Sequence, residues 1–253
     1  VYGLATAQQF IASGAYENIL IVGAELLSRF VDWNDRGTCI LFGDGAGAVV
    51  MQATDVPSGV LSYVLGSDGS GGGHLILPAG GVANPPDQQT LDMGMHKLRM
   101  NGREVFKFAT RVLGRALREV ISDAGLQTED IDLFIPHQAN ARIIESAARA
   151  VNLPEEKVFV NIHKYGNTSA ASIPIALCEA FEEGRAKVGD TLALVAFGAG
   201  LTWASAVIKI APYEKPAPKR WWQHLFPKFL ARNGHRSVQD LPESIPEMPV
   251  EVE

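Results

Sequence analysis

Apolar positions along the chain fall into two patterns: short continuous runs, and longer stretches with helical spacing. Leu4, Ala7, Phe10 and Ile11 share one helical face and Gly14 follows, so residues 1–13 read as a helix. Ile19-Leu20-Ile21-Val22 is a continuous run of the kind found in strands covered on both faces. A second run over 38–42 leads into Gly43-Asp44-Gly45-Ala46-Gly47-Ala48 and then Val49-Val50-Met51. Residues 52–59 read as a connecting loop, 60–65 as a strand and 66–73 as a mobile glycine-rich loop. Residues 78–98, with Pro78, Pro85 and Pro86, form an irregular excursion, and one this long is often a binding loop. The clearest helix covers 102–125, where Val105, Phe106, Ala109, Val112, Leu113, Ala116, Leu117, Val120 and Ile121 recur at helical spacing. Its other face, including Arg103, Arg111, Arg115 and Arg118, reads as solvated surface. Strands are predicted over 128–135, 192–197 and 204–210, with a further buried run at 158–162. Helices are predicted over 140–151 and 168–184, the latter carrying Pro174 in its first two turns, where a missing backbone donor is best tolerated.

Strand and helix alternate over residues 57–211, which predicts an α/β architecture layered around a mostly parallel sheet. Residues 1–56 carry a helix and two strands. The chain of 253 residues is 47% hydrophobic and 20% charged, an ordinary globular balance. A net charge of −6 argues against general nucleic-acid binding. Two cysteines, Cys39 and Cys178, give no disulfide framework and fit a reducing cytosol. No apolar run is long enough to span a bilayer and no signal peptide opens the chain, so the expected location is cytoplasmic. Val1 opens directly into a helix without a capping residue, which leads to the expectation of further sequence upstream. Residues 212–253 hold seven of the 14 prolines and read as a flexible tail. Within it Trp221, Trp222, Leu225, Phe226, Phe229 and Leu230 recur at helical spacing around Pro227. Docking of that segment onto its own protein, a partner subunit or a membrane surface are the alternatives.

The candidate chemistry sits in two loops, Pro136-His137-Gln138-Ala139-Asn140 and Tyr165-Gly166-Asn167-Thr168-Ser169, each following an apolar run and leading into a helix. In an open parallel sheet such loops lie at the carboxyl ends of strands, where ligands bind. An imidazole and an amide facing one crevice can both donate to a carbonyl oxygen that turns negative during reaction. Taken alone, His137 reads more readily as a satisfied, partly buried histidine than as a catalytic one. The glycine cluster at 43–48 lacks the helix that a dinucleotide fingerprint requires, so close backbone packing is its better reading. The 66–73 loop lacks the Gly-Lys-Ser/Thr ending of a phosphate cradle. His137 and His163 lie on different loops with no Cys or carboxylate cluster at ligand spacing, so no metal is expected.

Pro-His-Gln-Ala-Asn followed by Gly-Asn-Thr-Ser-Ala-Ala-Ser resembles 3-oxoacyl-(acyl-carrier-protein) synthase III. So do Asp35-Arg36-Gly37-Thr38, Phe42-Gly43-Asp44-Gly45-Ala46-Gly47-Ala48 and Phe197-Gly198-Ala199-Gly200-Leu201-Thr202-Trp203, and the resemblance runs to about residue 210. It implies a thiolase-like fold of which 57–211 would be the complete C-terminal half and 1–56 the end of the N-terminal half. The implied reaction is decarboxylating condensation of an acyl-CoA primer with malonyl-(acyl carrier protein), initiating fatty acid synthesis. No resident cofactor is implied, the CoA thioester being substrate, and a homodimer is expected. Under the resemblance His137 and Asn167 hold the enolate oxygen, and the Ala199 backbone N–H contributes to an oxyanion hole, in a turn where Ala replaces a family Gly and tolerates positive φ less well. Arg36 and Arg142 match positions on the CoA phosphates, and Gly37, Gly102, Phe106, Ala139 and Asn140 match positions along the pantetheine tunnel. Otherwise the two arginines are surface charges, Phe106 belongs to a core face, and Asn140 is a helix cap. The family's nucleophilic Cys lies immediately before the helix that opens this chain. Cys39 and Cys178 read instead as small buried hydrophobes, so the chain by itself is expected to be inactive. A non-catalytic scaffold or binding subunit, and a condensing enzyme of secondary metabolism, are the alternatives.

Overall fold

The structure, a computed structural model, describes residues 1–212. The proline-rich stretch and its aromatic segment lie, apart from residue 212, outside the described residues.

Helix α1 spans Tyr2–Ala12, and the chain turns at Gly14 with φ +72°. Strand β1 (Asn18–Leu26), the short helix α2 (Arg36–Cys39) and strand β2 (Asp44–Gln52) follow. β1 and β2 form a two-stranded antiparallel sheet in register from Asn18↔Gln52 to Leu26↔Asp44. Next come β3 (Gly59–Ser67), β4 (Leu75–Ile76), α3 (Gln88–Asp92), β5 (Arg99–Met100) and α4 (Gly102–Asp123). The remaining elements are β6 (Leu133–Pro136), α5 (Ala141–Ala150), α6 (Ile162–Tyr165), α7 (Ser172–Glu182), β7 (Thr191–Gly198) and β8 (Thr202–Lys209).

The larger sheet has the order β3-β8-β7-β6. β6 and β7 are parallel, while β8 runs antiparallel to both β7 and β3. The sheet is therefore mixed rather than mostly parallel. Only residues 199–201 join β7 to β8, enough for a hairpin and far too few for a crossover. One face, through Phe134, Ala193, Val195 and Val207, packs on α4 and α5. The other, through Leu133, Ile135, Leu192, Leu194 and Ala206, packs on α7 residues Ile173, Ala176 and Ala180. α7 in turn carries the two-stranded sheet, whose Ile21, Val49 and Met51 close the same core.

Several sequence expectations are corrected. Residues 36–39 are helical and the strand begins only at Asp44, so the glycine cluster after Gly43 lies within β2. A Cβ on Gly45 or Gly47 would come within 3 Å of Ile175 or Pro174, so these glycines let α7 approach the strand, the close backbone packing expected of them. β1 is not covered on both faces: Leu20 and Val22 point away from α7 at 63% and 58% exposure, beside Val50 of β2 at 67%. Residues 69–74, expected to be a mobile loop, form a 3₁₀ helix capped by Asp68, whose Oδ1 accepts from the Ser70 N–H. The excursion at 78–98 contains α3, closed by an Asp87/Thr90 capping box. Of the run at 128–135, only Leu133–Pro136 is strand. The run at 158–162 contributes one parallel bridge, Phe134↔Val158, rather than a full strand. On α4 the buried aromatic is Phe108, and Phe106 is 38% exposed.

Candidate active site

β6 ends at Pro136, and the next residue, His137, is anchored by its N–H donating to Val195 O at 2.7 Å. Its side chain is 8% exposed and lines a cavity of about 360 Å³. The walls come from four directions: Val1–Leu4 at the start of α1, Ile21 and Gly23 of β1, Ser169, Ala170 and Ser172–Pro174 leading into α7, and Phe197, Gly198, Thr202 and Trp203 around the hairpin. The lining is mostly apolar, and the Phe197 ring stands edge-on to the imidazole with centroids 5.7 Å apart. Burial in these surroundings, then the Val1 amino group, pushes the His137 pKa down to about 4. The ring is therefore neutral at pH 7 and acts as a hydrogen-bonding group rather than as a cation. Its Nδ1 lies 2.6 Å from Ser172 Oγ, and Nε2 has no partner among the described residues.

Gln138 ties this loop to its neighbour. Its Nε2 donates to Pro136 O and Phe159 O, and its Oε1 accepts from the N–H groups of Asn161 and Ile162. Glu179 of α7 holds the far side of the second loop, accepting from Asn161 Nδ2, Lys164 Nζ and the Tyr165 hydroxyl. Burial raises the Glu179 pKa, but donation from Tyr165, Asn161 and Lys164 outweighs it and holds the carboxyl below its ordinary value.

Asn167 is fixed through its backbone: its N–H donates to Leu41 O at 2.8 Å, and its carbonyl accepts from Gly43 N at 2.9 Å. Its side-chain Oδ1 accepts from the Ser169 N–H at 2.9 Å, and the amide Nδ2 has no hydrogen-bond partner among the described residues. Across the site, Glu25 of β1 accepts from Ser169 Oγ and Ala170 N. Asn167 itself does not line the cavity, although Ser169 and Ala170 of the same loop do.

The structure places the remaining expected residues as follows. Ala199 is exposed in the β7–β8 hairpin beside the cavity-lining Gly198, and its carbonyl accepts from Thr202 Oγ1. The positive φ of this turn falls on Gly200 (+133°), so the anticipated strain at Ala199 does not arise. Ala139 is buried and donates its N–H to His137 O. Asn140 caps α5, its Oδ1 accepting from the Arg142 N–H at 2.9 Å. Gly37 lies in α2, its N–H donating to Asp35 Oδ1, and Gly102 opens α4. Arg36 and Arg142 are exposed and make no ion pair among the described residues. None of these eight, Phe106 included, lines the cavity around His137. Neither cysteine lines it either. Cys178 is exposed rather than buried, and desolvation followed by the Glu182 carboxylate pushes its thiol pKa up; Cys39 is half-buried. No group of three His, Cys, Asp or Glu side chains among the described residues is placed to hold a metal ion.

Sequence reasoning did not single out Ser172, Gln138, Glu179 or Glu25. Two of them stand inside the motifs already quoted, Gln138 beside His137 and Ser172 as the last serine of Gly-Asn-Thr-Ser-Ala-Ala-Ser. Glu25 and Glu179 carry no local signal, since their partners are far away in sequence.

Layers of helix and sheet with a histidine directly after a fully buried strand, β6, define a thiolase-like condensing-enzyme architecture, as solved relatives bear out. The structure of a 3-oxoacyl-[acyl-carrier-protein] synthase III from Aquifex aeolicus aligns with a TM-score of 0.73 at 48% identity, covering 82% of this chain and 63% of that one. One from Thermus thermophilus aligns at 0.75 and 48%, covering 84% and 65%. Models of the two parts of 3-oxoacyl-[acyl-carrier-protein] synthase III match residues 1–69 and 121–210, together more than half of the chain. The chain belongs to the 3-oxoacyl-[acyl-carrier-protein] synthase III family. The beta-ketoacyl-[acyl-carrier-protein] synthase III of Caldanaerobacter subterraneus is 54% identical over 209 residues, 83% of this chain and 63% of that relative. The chain thus spans a little under two thirds of the length of the curated relatives it matches. No helix among the described residues is long and apolar enough to cross a membrane.

Proposed function

We propose that this chain contributes the decarboxylation half of a condensing site. There an acyl group carried from CoA onto a cysteine thiol is joined to malonyl-(acyl carrier protein), giving 3-oxoacyl-(acyl carrier protein) and carbon dioxide. The observation that carries the reading is His137, neutral and one-tenth exposed or less, presenting an unpartnered Nε2 at a mostly apolar cavity beside the Asn167 loop. As the malonyl C–CO₂ bond breaks, its electron pair passes into the thioester and charge gathers on the carbonyl oxygen. Nε2–H of His137 and Nδ2–H of Asn167 donate to that oxygen, and water-poor surroundings strengthen both bonds. The carbanion carbon then attacks the acyl carbonyl, the Ala199 N–H receives the tetrahedral oxyanion, and the thiolate leaves. The thiol comes from outside these residues and stands at the N-terminal end of α1, where Val1 and Tyr2 already line the cavity.

Arg36 and Arg142, exposed and without ion pairs, bind the CoA phosphates, and Gly37, Gly102, Phe106, Ala139 and Asn140 border the pantetheine arm. No resident cofactor takes part. The working enzyme is a cytoplasmic homodimer in fatty acid initiation. The bare outer face of β1 and β2, with Leu20, Val22 and Val50, is where the unmatched third of the relatives' length packs. The test is to co-express the chain with that missing part of the Caldanaerobacter relative and follow carbon dioxide release from malonyl-(acyl carrier protein). His137→Ala and Asn167→Ala each lower release about 10²–10³-fold. Release at the same rate in either variant refutes the assignment.

A further inference from the structure

We infer that Ser172 is a positioning residue that fixes His137 as its Nε2–H tautomer, the form able to donate into the cavity. The inference rests on the reading that His137 donates to a substrate oxygen. A neutral imidazole carries one ring proton, and only the Nε2–H form can serve that role. Ser172 is the first residue of α7, 2% exposed, with Oγ 2.6 Å from His137 Nδ1. Its hydroxyl has no other partner among the described residues. If Nδ1 carried the proton, Ser172 would have to accept it, and its own O–H would then lie buried without an acceptor. If Ser172 donates to a bare Nδ1, both groups are satisfied and the proton is placed on Nε2. The backbone leaves the ring little freedom to escape this pairing. His137 N–H is tied to Val195 O, His137 O accepts from Ala139 N, and Phe197 stands against the ring. Nε2 is not sealed off: the buried polar side-chain atom without a partner among the described residues is Gln8 Oε1. The expected preference for Nε2–H is about tenfold or more.

The experiment is ¹H–¹⁵N correlation of the histidine ring nitrogens in the full 253-residue chain, labelled on its six histidines, with His137 assigned by its loss in His137→Asn. The native chain is expected to show a protonated Nε2 and a bare Nδ1. Ser172→Ala is expected to mix the tautomers, and Ser172→Thr, which restores a hydroxyl, to return the native ratio. A proton on Nδ1 in the native chain overturns the inference whether or not the alanine variant folds, and so does an unchanged ratio in a folded Ser172→Ala. Because no substrate is present, the condensation reading is tested separately. Absence of carbon dioxide release with Nε2–H in place would sink that reading and leave the tautomer assignment standing.

Discussion

Replacing Gly43 by Ala tests how the Asn167 loop is held. Gly43 lies where Leu41–Gly43 pairs with Asn167, through Asn167 N–H to Leu41 O and Gly43 N–H to Asn167 O. A Cβ built on Gly43 falls under 3 Å from the Tyr165 carbonyl oxygen, inside any real contact distance. That oxygen belongs to backbone and cannot swing aside as a side-chain tip would. Reaching an ordinary C···O separation of about 3.3 Å or more requires the loop to retreat by roughly 1 Å. Overpacking of this kind costs about 1–3 kcal/mol. Stretching the two backbone hydrogen bonds adds about 1 kcal/mol each. The expected loss is therefore about 3–5 kcal/mol. The assay is urea denaturation of the chain, read from the midpoint at constant m-value. Gly69→Ala is the control: its Cβ meets nothing within 4 Å and its φ is not positive, so it should change stability by less than about 1 kcal/mol. If Gly43→Ala costs no more than Gly69→Ala, the close approach is not what sets the loop.

Burial of neutral His137 makes stability pH-dependent with a defined sign. Its pKa is lowered from 6.5 to about 4, so the unfolded chain binds the proton first as pH falls, and stability is lost between those values. Between pH 7.5 and 4 the native chain should lose about 3 kcal/mol more than His137→Asn, and parallel losses in the two chains would contradict the burial argument. Truncating Glu179 to Ala strands the buried Asn161 Nδ2 and should cost about 1–3 kcal/mol by the same denaturation assay, whereas Glu182→Ala, whose partner is the exposed Cys178, should cost under about 0.5 kcal/mol. Phe134, fully buried between α4 and the sheet, should cost about 3–5 kcal/mol as Ala, measured by thermal or urea unfolding. With a raised thiol pKa at Cys178 and no cysteine at the cavity, incubation with acetyl-CoA should leave the intact mass unchanged; a stable acetyl adduct on either cysteine would place a nucleophile where none is described.

Local physics in the sequence determined a good deal. The helical spacing of Val105, Ala109, Val112, Leu113, Ala116 and Val120 dictates α4, and Gly14 dictates the end of α1. The two loops were legible because polar, chemistry-bearing residues interrupt apolar runs there. The two last strands on either side of Gly198-Ala199-Gly200 were legible, but their antiparallel pairing, and with it the mixed sheet, emerged only from the short 199–201 connection in the structure. Other features were decided only by what packs against what. Phe106 and Phe108 both sit near the edges of one helical stripe, and the contact of Phe108 with Trp203 selected the latter for the core. The run at 19–22 looks alike whether one face or two are covered, so the open outer face of β1 had no local sign. The pairing of His137 with Ser172, 35 residues apart, and of Glu25 with Ser169, 144 apart, exists only once strand and helix ends are brought together. Periodicity reports which face of an element is apolar. The neighbour that covers that face, and the hydrogen bond that orients a ring within it, depend on long-range packing that no local pattern records.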